Sequence, residues 1–210
     1  AEMCGNGARC VALFASRLGL GSRGATETVV TFVAQPGVMK ASIRDNRITV
    51  AMTDAAGFEQ DIQLDTAAGL ETVHLINTGV PHAVTVVEDW TSLDDEAVLA
   101  RGRAIRLHEK FSPAGINANF IYFEEDGTVR IRTFERGVES ETLACGTGSV
   151  AAAVVANKLG LARTPIRLRT HGGDVLEVSF SLSPSGAFGV TLEAPAAINF
   201  DGDMDIPEKG

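Results

Sequence analysis

The chain has 210 residues, of which 45% are hydrophobic and 21% charged, with a formal net charge of −9 and a pI near 4.9. This length allows one large domain or two small ones. An acidic chain without a basic stripe excludes a nucleic-acid binder, and no apolar run is long enough to span a membrane. Three cysteines, an odd number, do not indicate a disulfide framework, which favours the cytoplasm.

The first predicted element is a helix that follows a glycine-rich turn. The phrase Cys-Gly-Asn-Gly-Ala-Arg-Cys occupies residues 4–10, and the helix is predicted from Ala8 to Leu18. Gly19 follows as the residue that ends the helix. Cys10 is interpreted as a core residue. The apolar face of this helix is predicted to contain Leu13, Phe14 and Leu18.

Strands separated by tight turns follow this helix. Residues 57–69 carry little pattern and are interpreted as a linker between two halves. A second helix is predicted from Thr91 to Arg103, with Ser92 as its N-cap. The strands predicted in this part of the chain are 28–34, 38–43, 47–52, 73–77, 83–87, 119–124 and 128–134.

A second copy of the opening phrase begins at Cys145. Residues 145–161 match residues 4–20 at one constant offset: the cysteine, both glycines of the turn, two alanines and the closing Leu-Gly-Leu coincide. A helix is again predicted, over residues 149–159. The strands predicted after it are 166–170, 175–180 and 188–192. The repeat therefore predicts a duplicated architecture, in which each half is a helix followed by antiparallel strands.

The two halves differ in what precedes the repeated phrase. About 70 residues of strands and helix, beginning near Thr72, precede Cys145, whereas three residues precede Cys4. A duplicated architecture predicts a matching segment ahead of Cys4, so we expect this sequence to be the back part of a longer protein. The final stretch, from Ala196 to Asp205, is predicted to return to the first half as a strand.

A cysteine at the same place in both halves predicts two thiols that face each other. The N-terminus of a helix carries unpaired N–H groups and about half a positive charge, which favours a thiolate and attracts a carboxylate. One thiolate can take a proton from one side of a carbon while the other thiol donates a proton from the opposite side. The alternative interpretation, a small buried core residue, suits a single cysteine better than a matched pair.

The phrases at residues 4–10 and 135–148 resemble the two signatures of the diaminopimelate epimerase family. The resemblance covers nearly the whole chain, including residues 79–82, 115–120 and 193–196. It implies an α/β (α+β) fold of two pseudo-symmetric lobes. Each lobe is expected to be a mixed, barrel-like sheet around a central helix, and the first lobe is expected to be incomplete.

The resemblance also implies a function. Residues 1–56 and 193–210 are expected to form the first lobe and residues 57–192 the second, with the active site in the cleft between them. The implied reaction is cofactor-independent, two-thiol epimerisation of LL-diaminopimelate to meso-diaminopimelate, for lysine and peptidoglycan. No cofactor and no metal are expected, because no lysine lies in a pyridoxal context and no cysteine–histidine spacing suits zinc. The expected partner is a small amino-acid substrate, with a homodimer as an option.

The resemblance further implies which residues form the site. The expected catalytic residues are Cys4, Cys145, His82 and Glu135. The expected substrate-binding residues are Gly5, Asn6, Asn117, Glu135, Arg136, Gly146 and Thr147. Arginine forks onto carboxylates, so Arg136 is expected at the distal end of the substrate together with Asn117. Each of three residues also has a structural alternative. Glu135 is then a salt-bridge partner of Arg136, His82 a structural histidine and Asn117 a turn-forming asparagine.

Two departures from the family pattern keep other functions open. The usual Gly-Asn-Pro-His reads Gly-Val-Pro-His here, so Val80 lacks an amide that Asn77 or Asn119 would have to supply. The family's Gly-Asn-Asp-Phe-like stretch is not part of this sequence. One alternative is therefore another cofactor-free amino-acid racemase on the same scaffold, and another is an inactive fragment. A redox or metal-binding thiol protein is disfavoured because there is no Cys-x-x-Cys.

Overall fold

The computed structural model describes residues 3–184 and 186–202. Within these residues the chain forms three α-helices and one mixed sheet of thirteen strands. The helices are α1 (Gly5–Arg17), α2 (Asp95–Arg106) and α3 (Gly146–Lys158). The strands are β1 (Ser22–Arg23), β2 (Thr28–Ala34), β3 (Gly37–Arg44), β4 (Arg47–Ala51), β5 (Ala55–Thr66), β6 (Gly69–Asn77), β7 (Pro81–Val86), β8 (Asn117–Phe123), β9 (Val129–Glu135), β10 (Ser140–Thr142), β11 (Ile166–Arg169), β12 (Val175–Ser183) and β13 (Gly186–Ala194).

Most of the sheet closes into a barrel around α3. The strands of this barrel lie side by side in the order β13, β12, β11, β9, β8, β7, β6 and β5. The barrel closes because β5 pairs with β13, where Ala55 faces Ala187. The pairs β7–β8 and β9–β11 are parallel, and the other barrel pairs are antiparallel. The barrel covers α3 on all sides, so the helix is buried from Gly146 to Ala156. A helix that is apolar all round suits such an enclosed place.

A smaller, open sheet packs on α1. Strands β1 to β4 are antiparallel neighbours, and β4 pairs with β13, so the two lobes share one continuous sheet. This sheet leaves one side of α1 uncovered, where Val11, Phe14 and Leu18 are 46–59% exposed. The predicted α/β architecture of two lobes, each with a sheet packed on a helix, is confirmed. Only the second-lobe sheet closes into a barrel, whereas the first-lobe sheet is open. None of the described helices has the length and apolar content needed to cross a membrane.

The helix α2 covers the outside of the barrel. It packs on β8 and β9, where Val98 and Ile105 join a cluster around Phe120 and Phe134. Gly102 makes this approach possible, because a Cβ there would lie 2.4 Å from the Cβ of Phe134. The predicted start of this helix was wrong. Residues 90–92 form a separate 3₁₀ turn, and the N-cap of α2 is the Asp94 carboxylate, which accepts from the Ala97 amide at 2.8 Å.

The predicted linker was also wrong. Residues 57–66 belong to the long strand β5, and Gly69 begins β6. The alternation of apolar and polar residues in β5 is interrupted by two shifts of register, between Ala56 and Glu59 and between Glu59 and Ile62. Bulges of this kind place two residues opposite one, which hides the two-residue period from a reading of the sequence.

Three smaller predictions differ from the structure. Helices α1 and α3 each begin three residues earlier than predicted, because the glycines of each phrase lie inside the first helical turn. Cys10 is exposed on α1 rather than part of the core, since the open sheet does not reach its side of the helix. Residues 196–202 form no strand, and residues 203–205 of the predicted last strand lie outside the described residues.

Candidate active site

Each matched cysteine is the N-cap of its helix. The backbone of Cys4 and of Cys145 is extended, and the chain turns helical immediately afterwards. The Cys4 Sγ accepts from the Gly7 amide at 3.3 Å, and the Cys145 Sγ accepts from the Gly148 amide at 3.4 Å. Sulfur thus takes the place of the oxygen that usually caps a helix. Each thiol therefore lies in the positive field of a helix N-terminus, which favours negative charge on the sulfur.

The two helix N-termini touch through their glycines. A Cβ on Gly146 would lie 3.2 Å from the Gly5 Cα, so neither helix could approach as closely with a larger residue. The Asn6 side chain donates from Nδ2 to the Ala144 carbonyl at 3.1 Å. The two cysteine turns, far apart in the sequence, are therefore hydrogen-bonded neighbours.

Burial distinguishes the two thiols. Cys4 is exposed, whereas Cys145 is only 8% exposed beneath the barrel strands. Burial, followed by the negative charge of Glu135, raises the pKa of the Cys145 thiol to about 11. Hydrogen bonds from Thr147 and from the Gly148 amide act in the opposite direction but do not outweigh burial. Cys145 is consequently a protonated thiol near neutral pH.

Glu135 lies at the end of β9, close to the buried thiol. The short strand β10 folds back on β9, and the Thr142 hydroxyl donates to Glu135 Oε2 at 3.0 Å. Only residues 143 and 144 separate the end of β10 from Cys145. The carboxylate is therefore fixed in position next to Cys145 by the chain segment that carries that cysteine.

His82 is completely buried on β7. Burial first, and then the positive charge of Arg136, lower the pKa of His82 to about 3. A hydrogen bond with Asn119 opposes this shift without reversing it. The His82 Nδ1 lies 3.1 Å from the Asn119 Nδ2. The imidazole is therefore neutral at physiological pH.

Asn117 and Arg136 lie next to each other across the sheet. The Asn117 Nδ2 donates to the Pro81 carbonyl at 3.0 Å, and its Oδ1 accepts from the Arg136 backbone amide at 2.9 Å. Both ends of the Asn117 amide thus bond to backbone groups, and Asn117 joins the turn before His82 to the main chain of Arg136. This arrangement differs from a simple turn-forming asparagine, because Asn117 is the first residue of β8.

The turn between β6 and β7 contacts the first turn of α3. The Thr78 hydroxyl donates to the Thr147 carbonyl at 3.3 Å, and Val80 is buried next to it in the same turn. The Asn77 Oδ1 accepts from the Gly79 amide at 2.9 Å, so this side chain serves its own turn. Asn119 is likewise bonded within the sheet. The side-chain oxygens of both asparagines thus accept hydrogen bonds from the protein itself.

Arg9 is buried beside the Cys4 turn, and the sequence analysis assigned it no role. The residue is 8% exposed in the first turns of α1, where the guanidinium Nη2 donates to the Asn6 Oδ1 at 3.0 Å and Nη1 donates to the Gly5 carbonyl at 3.3 Å. Burial lowers the pKa of Arg9. A charged residue on the inner face of a helix is the signal that could have identified it, because an arginine is rarely buried without a polar task.

Two other features of the described residues lie outside this site, an acidic cluster with a histidine and a large cavity. The carboxylates of Asp95 and Glu141 lie near His171 in a group that could ligate a metal. The Arg132 guanidinium already bonds to both carboxylates, at 2.6 Å in each case, which makes this group an ion-pair cluster. The cavity has a volume of about 920 Å³ and lies between α2 and the β5–β6 turn. Its lining residues do not include the cysteine turns. A groove of about 230 Å³ does run beside Cys4.

The amino-acid sequence is similar to those of known proteins. The sequence model of the family described as diaminopimelate epimerase matches residues 74–180. Over 185 residues the chain is 43% identical to the diaminopimelate epimerase of Aquifex aeolicus (strain VF5), covering 86% of the chain and 63% of that relative. It is 40% identical over 204 residues to that of Hydrogenobaculum sp. (strain Y04AAS1), covering 96% of the chain and 70% of that relative.

Solved structures support the fold. A probable proline racemase from Agrobacterium radiobacter K84 superposes with a TM-score of 0.74 at 20% identity, covering 95% of this chain and 68% of that one. A hydroxyproline epimerase from Agrobacterium vitis gives a TM-score of 0.72 at 21% identity, covering 92% of this chain and 63% of that one. At this level of identity the likeness concerns the architecture alone.

Proposed function

The chain belongs to the diaminopimelate epimerase family, and from that membership we propose that it epimerises LL-diaminopimelate to meso-diaminopimelate without a cofactor, in the synthesis of lysine and peptidoglycan. The observation that carries the proposal is the pair of cysteines that cap two touching helix N-termini. The chain spans 63% of the length of the Aquifex aeolicus relative.

The reaction needs one base and one acid on opposite faces of the α-carbon. In our proposal a Cys4 thiolate removes the α-proton, forming an S–H bond and leaving the electron pair of the C–H bond on carbon. The Cys145 thiol, which is protonated near neutral pH, then donates its proton to the other face and becomes the thiolate. The reverse reaction exchanges the two roles, so no external oxidant or reductant is needed.

The helix N-termini supply the positive field for this step. The amides of Gly7 and Gly148 already face the two sulfurs. The amides of Asn6 and Thr147 belong to the first turns, where helix geometry provides no acceptor. We assign these two amides to the α-carboxylate of the substrate, because fixed donors stabilise the negative charge that develops as the proton leaves. Gly5 and Gly146 let the substrate approach the backbone.

The remaining predicted residues complete the proposed site. Glu135 stands next to Cys145 and, through its charge, helps to keep that thiol protonated. Arg136 is proposed to fork onto the distal carboxylate, with its backbone positioned by Asn117. His82 is proposed to assist at the reacting end. We also propose that the chain works in the cytoplasm, where free thiols stay reduced. A homodimer is a further proposal, and light scattering would test it by measuring the molecular mass in solution.

A second candidate function rests on Val80. This buried apolar residue occupies the turn that contacts the first turn of α3, which favours a less polar substrate side chain than that of diaminopimelate. Another cofactor-free amino-acid racemase is therefore the alternative. Incubating the chain with several amino acids under identical conditions separates the two functions, because the preferred substrate exchanges its α-proton fastest.

The central experiment follows the α-proton of diaminopimelate by proton NMR in D2O. We expect the signal to disappear with the reduced chain and to persist with Cys145→Ser, which keeps the fold but loses the acid. Cys10→Ser is the matched control, because Cys10 is exposed on α1 and caps no helix. The Aquifex aeolicus relative serves as the positive control. Near-normal exchange by Cys145→Ser would contradict the two-thiol mechanism.

A further inference from the structure

Asn119 can adopt only one orientation of its side-chain amide. It is fully buried on β8, and one end of the amide lies 3.0 Å from the Ala83 carbonyl. A carbonyl oxygen only accepts hydrogen bonds, so the NH₂ group must occupy this end. The other end then carries Oδ1, which accepts from the Thr133 hydroxyl at 3.0 Å. The backbone thus decides which way the Asn119 amide points.

This orientation determines the tautomer of His82. The Asn119 NH₂ group that bonds to Ala83 also lies 3.1 Å from the His82 Nδ1. A donor facing Nδ1 requires Nδ1 to accept, and a neutral imidazole carries its hydrogen on the other nitrogen. His82 is therefore the Nε2–H tautomer. Among the described residues, this buried Nε2 has no hydrogen-bond partner.

An N–H group that is buried without an acceptor is costly, because it has lost its hydrogen bonds to water and gained none in the protein. Such a group is explained if its partner is present only during the function of the protein. The network also contacts the candidate site: a Cβ on Gly148, in the first turn of α3, would lie 2.5 Å from the Asn119 Oδ1. The imidazole and the N-terminus of the Cys145 helix are thus linked through one side chain.

We propose that Asn119 is a positioning residue that keeps His82 as a neutral Nε2–H donor, and that this N–H bonds to an anionic oxygen or sulfur present in the occupied site. The inference rests on the proposed function, which it deepens. It assigns His82 the role of a hydrogen-bond donor and excludes a role as proton carrier. The burial that keeps the imidazole neutral agrees with this assignment.

The first test reads the tautomer directly and needs no turnover. The four histidines are labelled with ¹⁵N, and long-range ¹H–¹⁵N spectra are recorded, with the His82 signals identified by their loss in His82→Gln. We expect a protonated Nε2 and an unprotonated Nδ1 that do not change between about pH 5.5 and 8, a range that spans the ordinary histidine pKa. An Nδ1–H tautomer, or an imidazole that titrates in this range, would overturn the inference.

The second test separates a donor from a proton carrier. Gln at position 82 can place an amide N–H near the position of Nε2 but cannot carry a proton, whereas Leu offers neither. We expect His82→Gln to keep kcat within roughly tenfold, and His82→Leu to lose roughly 100-fold or more, as for the loss of one positioned donor. Equal losses in both variants overturn the donor role.

The third test addresses Asn119. In Asn119→Asp a carboxylate oxygen faces Nδ1 and accepts from it, so the hydrogen moves to Nδ1; we expect the NMR tautomer to change and kcat to fall. Thr133→Val is the matched control, because it removes a buried hydrogen bond of the same amide while Ala83 still sets its orientation. We expect this control to be less stable but to keep both the tautomer and kcat.

The outcomes distinguish this inference from the proposed function. A wild-type chain with the Nε2–H tautomer but without α-proton exchange overturns the proposed function and supports the assignment of Asn119. Exchange that continues at the normal rate after the tautomer has changed overturns the role of His82. If Asn119→Asp does not fold, the wild-type spectra and the two His82 variants still decide.

Discussion

Cys4 and Cys145 make the same contact with a helix N-terminus, but only Cys145 is buried. The capping contact is local, because it joins a side chain to an amide three residues further along the chain. Burial is not local, since it depends on the strands that surround each helix. The two thiols of one repeated phrase therefore differ in burial, and burial raises the pKa of the Cys145 thiol.

The first prediction concerns the pH at which Cys145 reacts. Iodoacetamide attacks thiolates, so the alkylation rate of Cys145 in the folded chain should keep rising up to its pKa of about 11. Unfolded in urea, the same thiol should react with a midpoint near 8.5. Glu135→Gln removes a charge that raises this pKa, so its folded-state midpoint should move down. Peptide mass spectrometry measures the rates, and a folded midpoint near the unfolded value contradicts the prediction.

The same thiol contributes to the pH dependence of stability. Its pKa is raised on folding, so the contribution is fully present below the unfolded pKa of about 8.5. It is lost as pH rises towards the folded pKa of about 11. The free energy of unfolding should fall in this interval, and less steeply in Cys145→Ser.

At the scale of elements, buried charges join parts of the second lobe. The Arg132 guanidinium on β9 is buried, and it bonds to Glu141 on β10, to Asp95 at the start of α2 and to the Leu93 carbonyl. Hydrogen bonds to Glu141 and Asp95 raise the pKa of Arg132 although burial opposes this. One side chain thus fixes the segment that leads into Cys145.

The second prediction tests this ion-pair cluster. Glu141→Gln leaves a buried guanidinium with less compensation, so unfolding should become easier by about 3 kcal/mol. Glu139→Gln is the matched control, because Glu139 pairs with Arg106 and is 43% exposed at its side chain; its cost should stay below about 1 kcal/mol. Urea unfolding gives both values. Equal costs for the two variants would show that burial does not matter here.

The third prediction compares matched positions of the two repeated helices. Val155 in α3 is fully buried and Phe14, its counterpart in α1, is 59% exposed. Val155→Ala removes two buried methyl groups and leaves a cavity, which should cost about 2 kcal/mol. Phe14→Ala should change the free energy of unfolding by no more than about 0.5 kcal/mol. Similar costs would contradict the open structure of the first lobe.

At the scale of the whole molecule, one sheet joins two unequal lobes. Strand β13 pairs with β12, with β4 of the first lobe and with β5, and so completes the barrel while extending into the open sheet. The two central helices meet end to end at Gly5 and Gly146. The distance between the cysteines therefore depends on both lobes. The boundaries of the lobes at residues 56/57 and 192/193 stay a prediction.

The fourth prediction concerns this helix contact. In Gly146→Ala the added Cβ would lie 3.2 Å from the Gly5 Cα, so one backbone must shift by a few tenths of an ångström. We expect kcat to fall roughly 10- to 100-fold, because small displacements of reacting groups are costly. Helix stability should not fall, since Ala is favoured over Gly in helices. Proton exchange and circular dichroism measure the two effects, and unchanged exchange contradicts the prediction.

Local patterns predicted several elements well. The strand predicted at 28–34 coincides with β2, and the hairpin predicted at 119–124 and 128–134 corresponds to β8 and β9 within two residues at each end. The cysteine-capped helices were predicted with late starts, because glycines are usually a sign of a turn. The linker prediction failed because bulges in β5 removed the alternation on which it depended.

The sequence by itself determined the duplicated phrase, the two helices that follow the cysteines, most of the strands and the family, since these depend on residues close together in the chain or on matched motifs. Only the tertiary structure decided which thiol is buried, which helix is enclosed, and that Asn119 contacts His82. The physical reason is that burial and hydrogen bonding between side chains depend on strands brought together from distant parts of the chain, as when β5 closes the barrel on β13.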